Sequence, residues 1–464
     1  MRGLLAAGIV LVASCDHPPA PDAGGDPLYR MDVERGNVDA CPDWEIPPHA
    51  TSRLALAPPG EPEVAWMWNP LDEPMLRDLP GGRPNQTMHF STSPDGSIWA
   101  VGPNSSILSN IDHDGHLRFA LQFFVGMSGQ ITAPPRIAPD GSAYLVLDPD
   151  GIVRIDRTGN RTNIRPAEGL VRGGDPDWIA FGPEGRVYET RGGWLWASCA
   201  SDPAQFVWRA QLGRSGTATT TAPTPLVRAD GTVLVALEDG TAFFTIAHDG
   251  TAELVGEPLP YSADRETQAQ HVAGPYVLGD TTESRYSGPF FHHVVEIGVG
   301  ETWREPQASG SAALLLPSGR IMYGAGGVGR LISPEGATLL SWTNDLALPT
   351  TAAFVDGGGW IGGLYDPERA AIGRADDDGA LMSSFPFGEP GDTTVGGVLD
   401  VDGRFYAVVV GDLADRWGQV GQIVSIQTDA LPTRSDFCSA VWPDGCNAHH
   451  SSWMHLYQPT PPTE

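Results

Sequence analysis

Apolar positions in this chain alternate with small or polar ones over short runs, and each run stops at a turn signal. The pattern is clearest from Pro223 to Gly250, PTPLVRADGTVLVALEDGTAFFTIAHDG, where Val233, Val235 and Leu237 alternate with smaller or polar neighbours. A period of two predicts a pleated strand with one buried face. Asp230-Gly231 and Asp239-Gly240 supply the positive-φ positions of tight hairpins, so the stretch reads as three strands separated by two turns. Strands this short cannot bury a face alone and need neighbours of their own kind.

The chain provides those neighbours. Aligned on the glycine of the first turn, SPDGSIWAV (Gly96), APDGSAYLV (Gly141), GPEGRVYET (Gly185), RADGTVLVA (Gly231), LPSGRIMYG (Gly319), DGGGWIGGL (Gly359) and DVDGRFYAV (Gly403) follow at spacings of 45, 44, 46, 88, 40 and 44. The interval of 88 is twice 44, which predicts a degenerate copy near HVAGPYVLG with Gly274 and brings the number of copies to eight. A second turn follows the first by 17 to 20 residues at Gly115, Gly159, Gly250, Gly336 and Gly379, and insertions stretch that interval at Arg186–Gly216 and Gly274–Gly300. A four-stranded unit of about 40 to 45 residues repeated in this way is the signature of a propeller blade. The predicted fold is all-β, an eight-bladed β-propeller of four-stranded antiparallel blades.

The blade pattern is an apolar strand, a DG turn, a Val/Tyr-rich strand and an Ile-Asp or Ile-Ala step into a second DG. It resembles the quinoprotein-like (PQQ-like repeat) eight-bladed propellers over Val64 to about Gln427. Enzymes of that superfamily hold pyrroloquinoline quinone against an adjacent Cys-Cys ring, with calcium on Glu and Asn near a catalytic Asp. The chain has no two adjacent cysteines and is short for such an enzyme. The likeness therefore implies architecture more than activity, with a quinone-dependent dehydrogenase as the alternative to a binding propeller.

Both ends of the chain depart from the repeat. Arg2, the apolar run Leu4 to Val12 and Val12-Ala13-Ser14-Cys15 resemble a bacterial lipoprotein leader, the run being too short to span a bilayer. Residues 1–14 are read as the signal peptide and Cys15 as the lipidated N-terminus, which acyl chains would hold on a membrane. Residues 15–27 are Pro-, Gly- and Asp-rich and read as a flexible tether, and 28–62 as a segment without regular structure. The propeller is expected over 63–430. Its last copy supplies three strands, near Thr394–Leu399, Arg404–Val410 and Gln419–Gln427, and lacks a fourth. Val64 to Trp68, VAWMW, is the expected fourth strand, which would tie the two ends of the ring together; Trp453–Gln458 in the 431–464 tail is the other candidate.

Composition narrows the partners. With 57 Gly and 42 Pro in 464 residues and no long amphipathic helical stretch, the chain is turn-rich. Its 28 basic residues are all Arg against 57 acidic ones, a formal net charge of −29, so it would repel nucleic acid. With Cys15 lipidated, Cys41, Cys199, Cys438 and Cys446 remain, and an even number in an exported chain suggests disulfides in one of three pairings. Cys438 and Cys446 flank a Pro-Asp-Gly turn and are the easiest to close. Cys41 and Cys199 are then left either to each other, with the N-terminal segment crossing a face of the disc, or as free thiols.

The remaining chemistry is sparse. Asp112-His113-Asp114-Gly115, Asp148-Pro149-Asp150-Gly151, Asp376-Asp377-Asp378-Gly379 and Asp400-Val401-Asp402-Gly403 look like fragments of calcium loops but lack the later glutamate. Their places at the periodic turns suit Asp as a local hydrogen-bond acceptor. Asp376, Asp377 and Asp378 are left as a weak calcium candidate, and no other cofactor is expected. His292 and Glu296 share a strand face in FFHHVVEI, two ligands where a catalytic zinc needs three. The expected protein is a monomeric, exported, lipid-anchored propeller of the cell envelope. It would be a non-enzymatic rigid binding or scaffold surface for an envelope protein, an extracellular protein or a glycan.

Overall fold

A computed structural model describes residues 31–36, 38, 40–44, 52–56, 62–77, 89–93, 95–101, 107–123, 130–131, 135–148, 151–165, 179–182, 184–191, 193–202, 205–212, 225–227, 231–237, 242–255, 266–273, 276–282, 290–296, 299–306, 312–315, 320–325, 328–343, 351–355, 358–365, 369–376, 381–390, 392–399, 404–410, 422–428 and 430–434. The chain divides into two compact units, Met1–Arg30 and Met31–Glu464, and the described residues all belong to the second.

That unit is all-β and built of small antiparallel sheets. Among the described residues, eight of the sheets follow the sequence repeat. The first comprises His89–Thr92, Ile98–Val101, Ile107–Ile111 and Leu117–Gln122, in that order. The second has Gln130–Ile131 and Arg136–Ile137 side by side on Ala143–Asp148, then Gly151–Ile155 and Arg161–Arg165. The third has Ile179–Phe181, Arg186–Arg191, Trp194–Cys199 and Phe206–Gln211, and the fourth Leu226–Val227, Val233–Ala236, Phe243–Ile246 and Ala252–Val255. The fifth, sixth and seventh begin at Glu266–Ala273, Ala312–Leu315 and Thr351–Val355, and each adds the next three strands in chain order.

The degenerate copy is a complete sheet. Glu266–Ala273 and Tyr276–Thr282 flank Gly274, with Ala273 opposite Tyr276. The eighth sheet holds Thr393–Leu399, Arg404–Val410 and Gln422–Gln427, and its fourth strand is Glu63–Trp68 from the other end of the chain. Glu63 lies opposite Gln427 and Trp68 opposite Ile423. The expected closing strand is therefore the one used, and the other candidate, Trp453–Gln458, lies outside the described residues.

The strands bury both faces because the sheets pack on one another. Trp68, Tyr406, Val408 and Ile423 of the eighth sheet share a core with Phe90, Ile98, Ala100, Ile107 and Ile111 of the first. Trp99, Val101 and Leu108 of the first pack on Leu145, Val153 and Ile155 of the second. Tyr144 of the second meets Phe181 of the third at 5.0 Å between ring centroids. Ala370, Ile372 and Phe387 of the seventh join Phe405, Val424 and Ile426 of the eighth. Burial on both sides explains continuous apolar runs such as Ile98-Trp99-Ala100-Val101, every residue of which is buried. At about 25 cal/mol per Å² of apolar surface removed from water, each buried aromatic contributes a few kcal/mol to these seams.

One expectation about the ends requires correction. The segment 28–62 was expected to be irregular, yet Val33–Arg35 adds as a fifth strand along Phe206–Gln211 of the third sheet. Ser52–Leu56 pairs with Ala430–Arg434, so a strand also occupies the start of the 431–464 tail. Six prolines and two glycines in the 35 residues from 28 to 62 point to an irregular segment, but the outer strand Phe206–Gln211, with unpaired N–H and C=O groups, is a ready template for the extended Val33–Arg35 brought to it. Among the described residues no helix is long and apolar enough to cross a membrane.

Candidate functional site

In a four-stranded meander the first and third turns lie at the same end of the sheet, and these are the DG turns. Their aspartates serve the turns themselves. Asp95 accepts the N–H of Ser97 at 3.1 Å and its hydroxyl at 2.6 Å, and receives Arg118 at 2.9 Å. Burial raises the Asp95 carboxyl, but these bonds and the Arg118 charge prevail and hold it below the usual range. Asp140 repeats the arrangement with Ser142 and Arg154. Asp112 accepts the N–H groups of Asp114 at 3.0 Å and His116 at 2.8 Å, and Asp156 those of Thr158 at 2.8 Å and Asn160 at 2.9 Å. The turn role read for Asp112 is the one seen.

The third turns also latch the sheets together. Gly115, Gly159, Gly250 and Gly336 have φ between +87° and +88°, and each lies against an aromatic ring or backbone of the preceding sheet. A Cβ on Gly115 would meet Trp66 at 2.8 Å, and one on Gly250 would meet Trp208 at 3.1 Å. Trp66 donates its indole N–H to the carbonyl of His113 at 2.9 Å, and Trp208 to that of His248 at 3.2 Å. An arginine directly after a first-turn glycine completes the two tryptophan latches: Arg404 donates to the His113 carbonyl and Arg186 to that of His248.

The seam between the third and fourth sheets gathers the densest polar cluster among these latches. The Arg186 side chain is fully buried, and its second terminal nitrogen lies 2.6 Å from His248 Nε2. Glu184 Oε2 is 2.9 Å from the same nitrogen, and both side chains reach solvent. Glu184 has φ of +55°, the left-handed region that L residues adopt at a cost. Asp249, next to His248, pairs with Arg35 at 4.0 Å.

A strap from the N-terminal side crosses this same end of the third sheet. Gly36 donates to Val207 at 2.7 Å, and Arg209 to Glu34 at 2.7 Å. Arg209 also lies over Trp194 and Trp196, 4.5 and 4.8 Å from the ring centroids. The strap is then closed by a disulfide between Cys41 and Cys199, which excludes the free-thiol alternative. It enters at the outermost strand and runs toward the innermost. Pro42 packs its carbonyl against Gly185, where a Cβ would sit 1.9 Å away. Trp44 donates to the Gly182 carbonyl at 2.8 Å and meets Phe181 edge-on at 5.9 Å. Glycine at 185 is required twice, by its φ of +63° and by that contact.

The other candidates stay apart from this cluster. His292 is buried, edge-on to Tyr323 at 6.0 Å, and His293 pairs with Glu301 at 3.3 Å, so both are used within the fifth and sixth sheets. Among the described residues no three His, Cys, Asp or Glu side chains come together as a metal-holding group. Cys15, Asp377, Asp378, Cys438 and Cys446 lie outside the described residues, and Asp376 is described at the end of its strand. Sequence reading missed the latch arginines. The only signal was the Gly-Arg step in GPEGR and DVDGR, which gains meaning once the facing turn is known.

No family model matches the chain, and no curated protein matches it. Solved structures give loose superpositions. A catalytically inactive variant of virginiamycin B lyase from Staphylococcus aureus with quinupristin aligns at 13% identity and a TM-score of 0.42, over 79% of this chain and 99% of that one. Selenomethionine-substituted virginiamycin B lyase from the same organism aligns at 13% identity and 0.39, over 73% and 93%. A streptogramin B lyase aligns at 13% identity and 0.39, over 74% and 94%. Superpositions this loose carry no inference about this chain's activity.

Proposed function

We propose that the chain is an exported, lipid-anchored β-propeller of eight quinoprotein-like blades, a non-enzymatic rigid surface that binds envelope proteins or extracellular ligands. The observation that carries this reading is how the polar groups of the DG-turn end are used. Asp95, Asp112, Asp140 and Asp156 are bonded to their own turns, and Arg186 and Arg404 to facing turns. An enzyme keeps convergent acid, base or metal groups available, whereas these groups hold the scaffold rigid. The core shared by the eighth and first sheets supports ring closure. A Cys41–Cys199 disulfide suits an oxidising compartment and so supports export. Cys15 would carry the lipid and residues 15–27 the tether. The connections at the opposite end of the sheets, such as 166–178 and 213–224, are longer by sequence than the DG turns and would present the binding surface.

The test is affinity capture of the lipidated full chain from detergent-solubilised envelope, alongside incubation with pyrroloquinoline quinone and calcium. Recovery of envelope proteins supports the scaffold, and recovery of a glycan or secreted protein supports the surface-binding form. Stoichiometric quinone uptake with reduction of a redox dye by alcohols or aldoses would overturn the proposal in favour of a dehydrogenase.

A further inference from the structure

The seam between the third and fourth sheets asks one nitrogen to do two incompatible things. The Arg186 guanidinium is a donor only, so a hydrogen bond at 2.6 Å needs a lone pair on His248 Nε2. Glu184, as a carboxylate, is an acceptor only, so its approach to 2.9 Å needs a proton on that same nitrogen. The neutral ring protonated on Nδ1 satisfies Arg186. The doubly protonated ring satisfies Glu184 and faces Arg186 as a like charge.

Among the described residues, four charged groups surround the imidazole. Arg186 approaches from the second strand of the third sheet and Glu184 from the turn before that strand. Asp249 follows in the same turn as His248, and Arg35 of the strap reaches Asp249. Arg186 is the one that cannot adjust, being fully buried with its other terminal nitrogen bonded to the His248 carbonyl. Glu184 and His248 are both partly exposed, at 48% and 39%, so they can move together toward solvent. The homologous seam between the eighth and first sheets lacks this conflict. There Arg404 binds the His113 carbonyl while the His113 ring turns to Asp114, with Nδ1 at 3.0 Å from the carboxylate.

We infer that His248 makes the seam between the third and fourth sheets acid-sensitive: neutral, it is bonded to buried Arg186 and locks the seam, and protonated, it is transferred to Glu184 and loosens it. The electrostatics agree with the geometry. Burial and the Arg186 charge push the His248 ring below the usual histidine range, against the opposing pull of Glu184 and Asp249. A histidine whose folded pKa is depressed is protonated more readily in the unfolded chain. Its contribution to stability is complete above about pH 6.5 and is lost as the pH falls from there through the folded pKa. This inference concerns the fold and stands independently of the proposed binding role.

The experiment uses the full mature chain. Side-chain NMR of His248 is expected to show an Nδ1-protonated neutral ring that titrates below about 6.5. Amide exchange in Arg186–Arg191 and Phe243–Ile246, corrected for its intrinsic pH dependence, is expected to accelerate several-fold between pH 7.5 and 5.5. His248→Gln, which keeps an acceptor but cannot titrate, is expected to abolish that acceleration. Should that variant fail to fold, Glu184→Gln provides the second reading, since losing the carboxylate must lower the His248 titration midpoint further. A His248 midpoint at or above 6.5, exchange that changes alike in wild type and His248→Gln, or a midpoint unmoved by Glu184→Gln would each overturn the inference.

Discussion

Replacing both strap cysteines, Cys41→Ser with Cys199→Ser, isolates what the cross-link adds. The two residues are 158 positions apart. Closing a loop of that length removes denatured-chain entropy equivalent to about 5 kcal/mol at 25 °C in the chain-entropy treatment, and natural disulfides typically deliver about 2–4. The lower range applies here. The strap keeps its pairing with Phe206–Gln211, its Arg209–Glu34 contact and the Trp44 bond to Gly182 when the sulfurs are gone, so the folded state changes little. With an unfolding entropy of roughly 2.1 cal/mol/K per residue over roughly 400 residues, that loss lowers Tm by about 2–5 °C. Scanning calorimetry of the double variant beside oxidised wild type should show that shift. Trypsin, which cuts this lysine-free chain only at arginine, should attack Arg35 faster in the double variant, because the freed strap detaches without the whole sheet unfolding. A Tm within about 1 °C of wild type, with Arg35 equally protected, would refute the reasoning, since the strap would then be held by its strand pairing alone.

Three further outcomes follow. Gly115→Ala and Gly159→Ala both place a Cβ at φ of +88°, at about 1–2 kcal/mol each, but the new methyl meets Trp66 at 2.8 Å in the first and Phe119 at 3.4 Å in the second. Denaturant titration should therefore find Gly115→Ala less stable by about a further 1–3 kcal/mol. Partial burial raises the Asp156 carboxyl, yet the bonds from Thr158 and Asn160 prevail and hold it at about 2. The folded pKa is depressed, so its small, solvent-screened contribution is present above about pH 4 and lost as pH falls through about 2. The stability gap between wild type and Asp156→Ala in acid titrations should close over that window. Cys15→Ala should leave the protein soluble after cell fractionation and block processing of the leader; a variant that stays with the membranes would remove the lipid anchor from the proposed function.

Sequence by itself determined the local half of this protein. Alternation of apolar residues placed the strands, and glycines with a need for positive φ placed the turns, since both are dictated within a few residues of the chain. The constant interval between those turns located a sheet around Gly274 with no Asp-Gly signal, and the strand deficit of the last copy pointed to Val64–Trp68 as its partner. What only the tertiary structure decided is which surfaces meet. The destination of the strap and the choice of Cys41–Cys199 as a pair over two free thiols depend on an outer edge that exists only after the third sheet is formed, and Ser52–Leu56 pairs with Ala430–Arg434 only once the two ends of the chain are brought together. The candidate site belongs to the same class. Arg186 reads in sequence as one more polar residue after a turn, and it becomes the buried centre of a seam because packing brings His248, 62 positions away, against it. A residue's own conformational preferences reach only its neighbours in the chain. The partner of a buried charge is chosen by the geometry of the two sheets that enclose it.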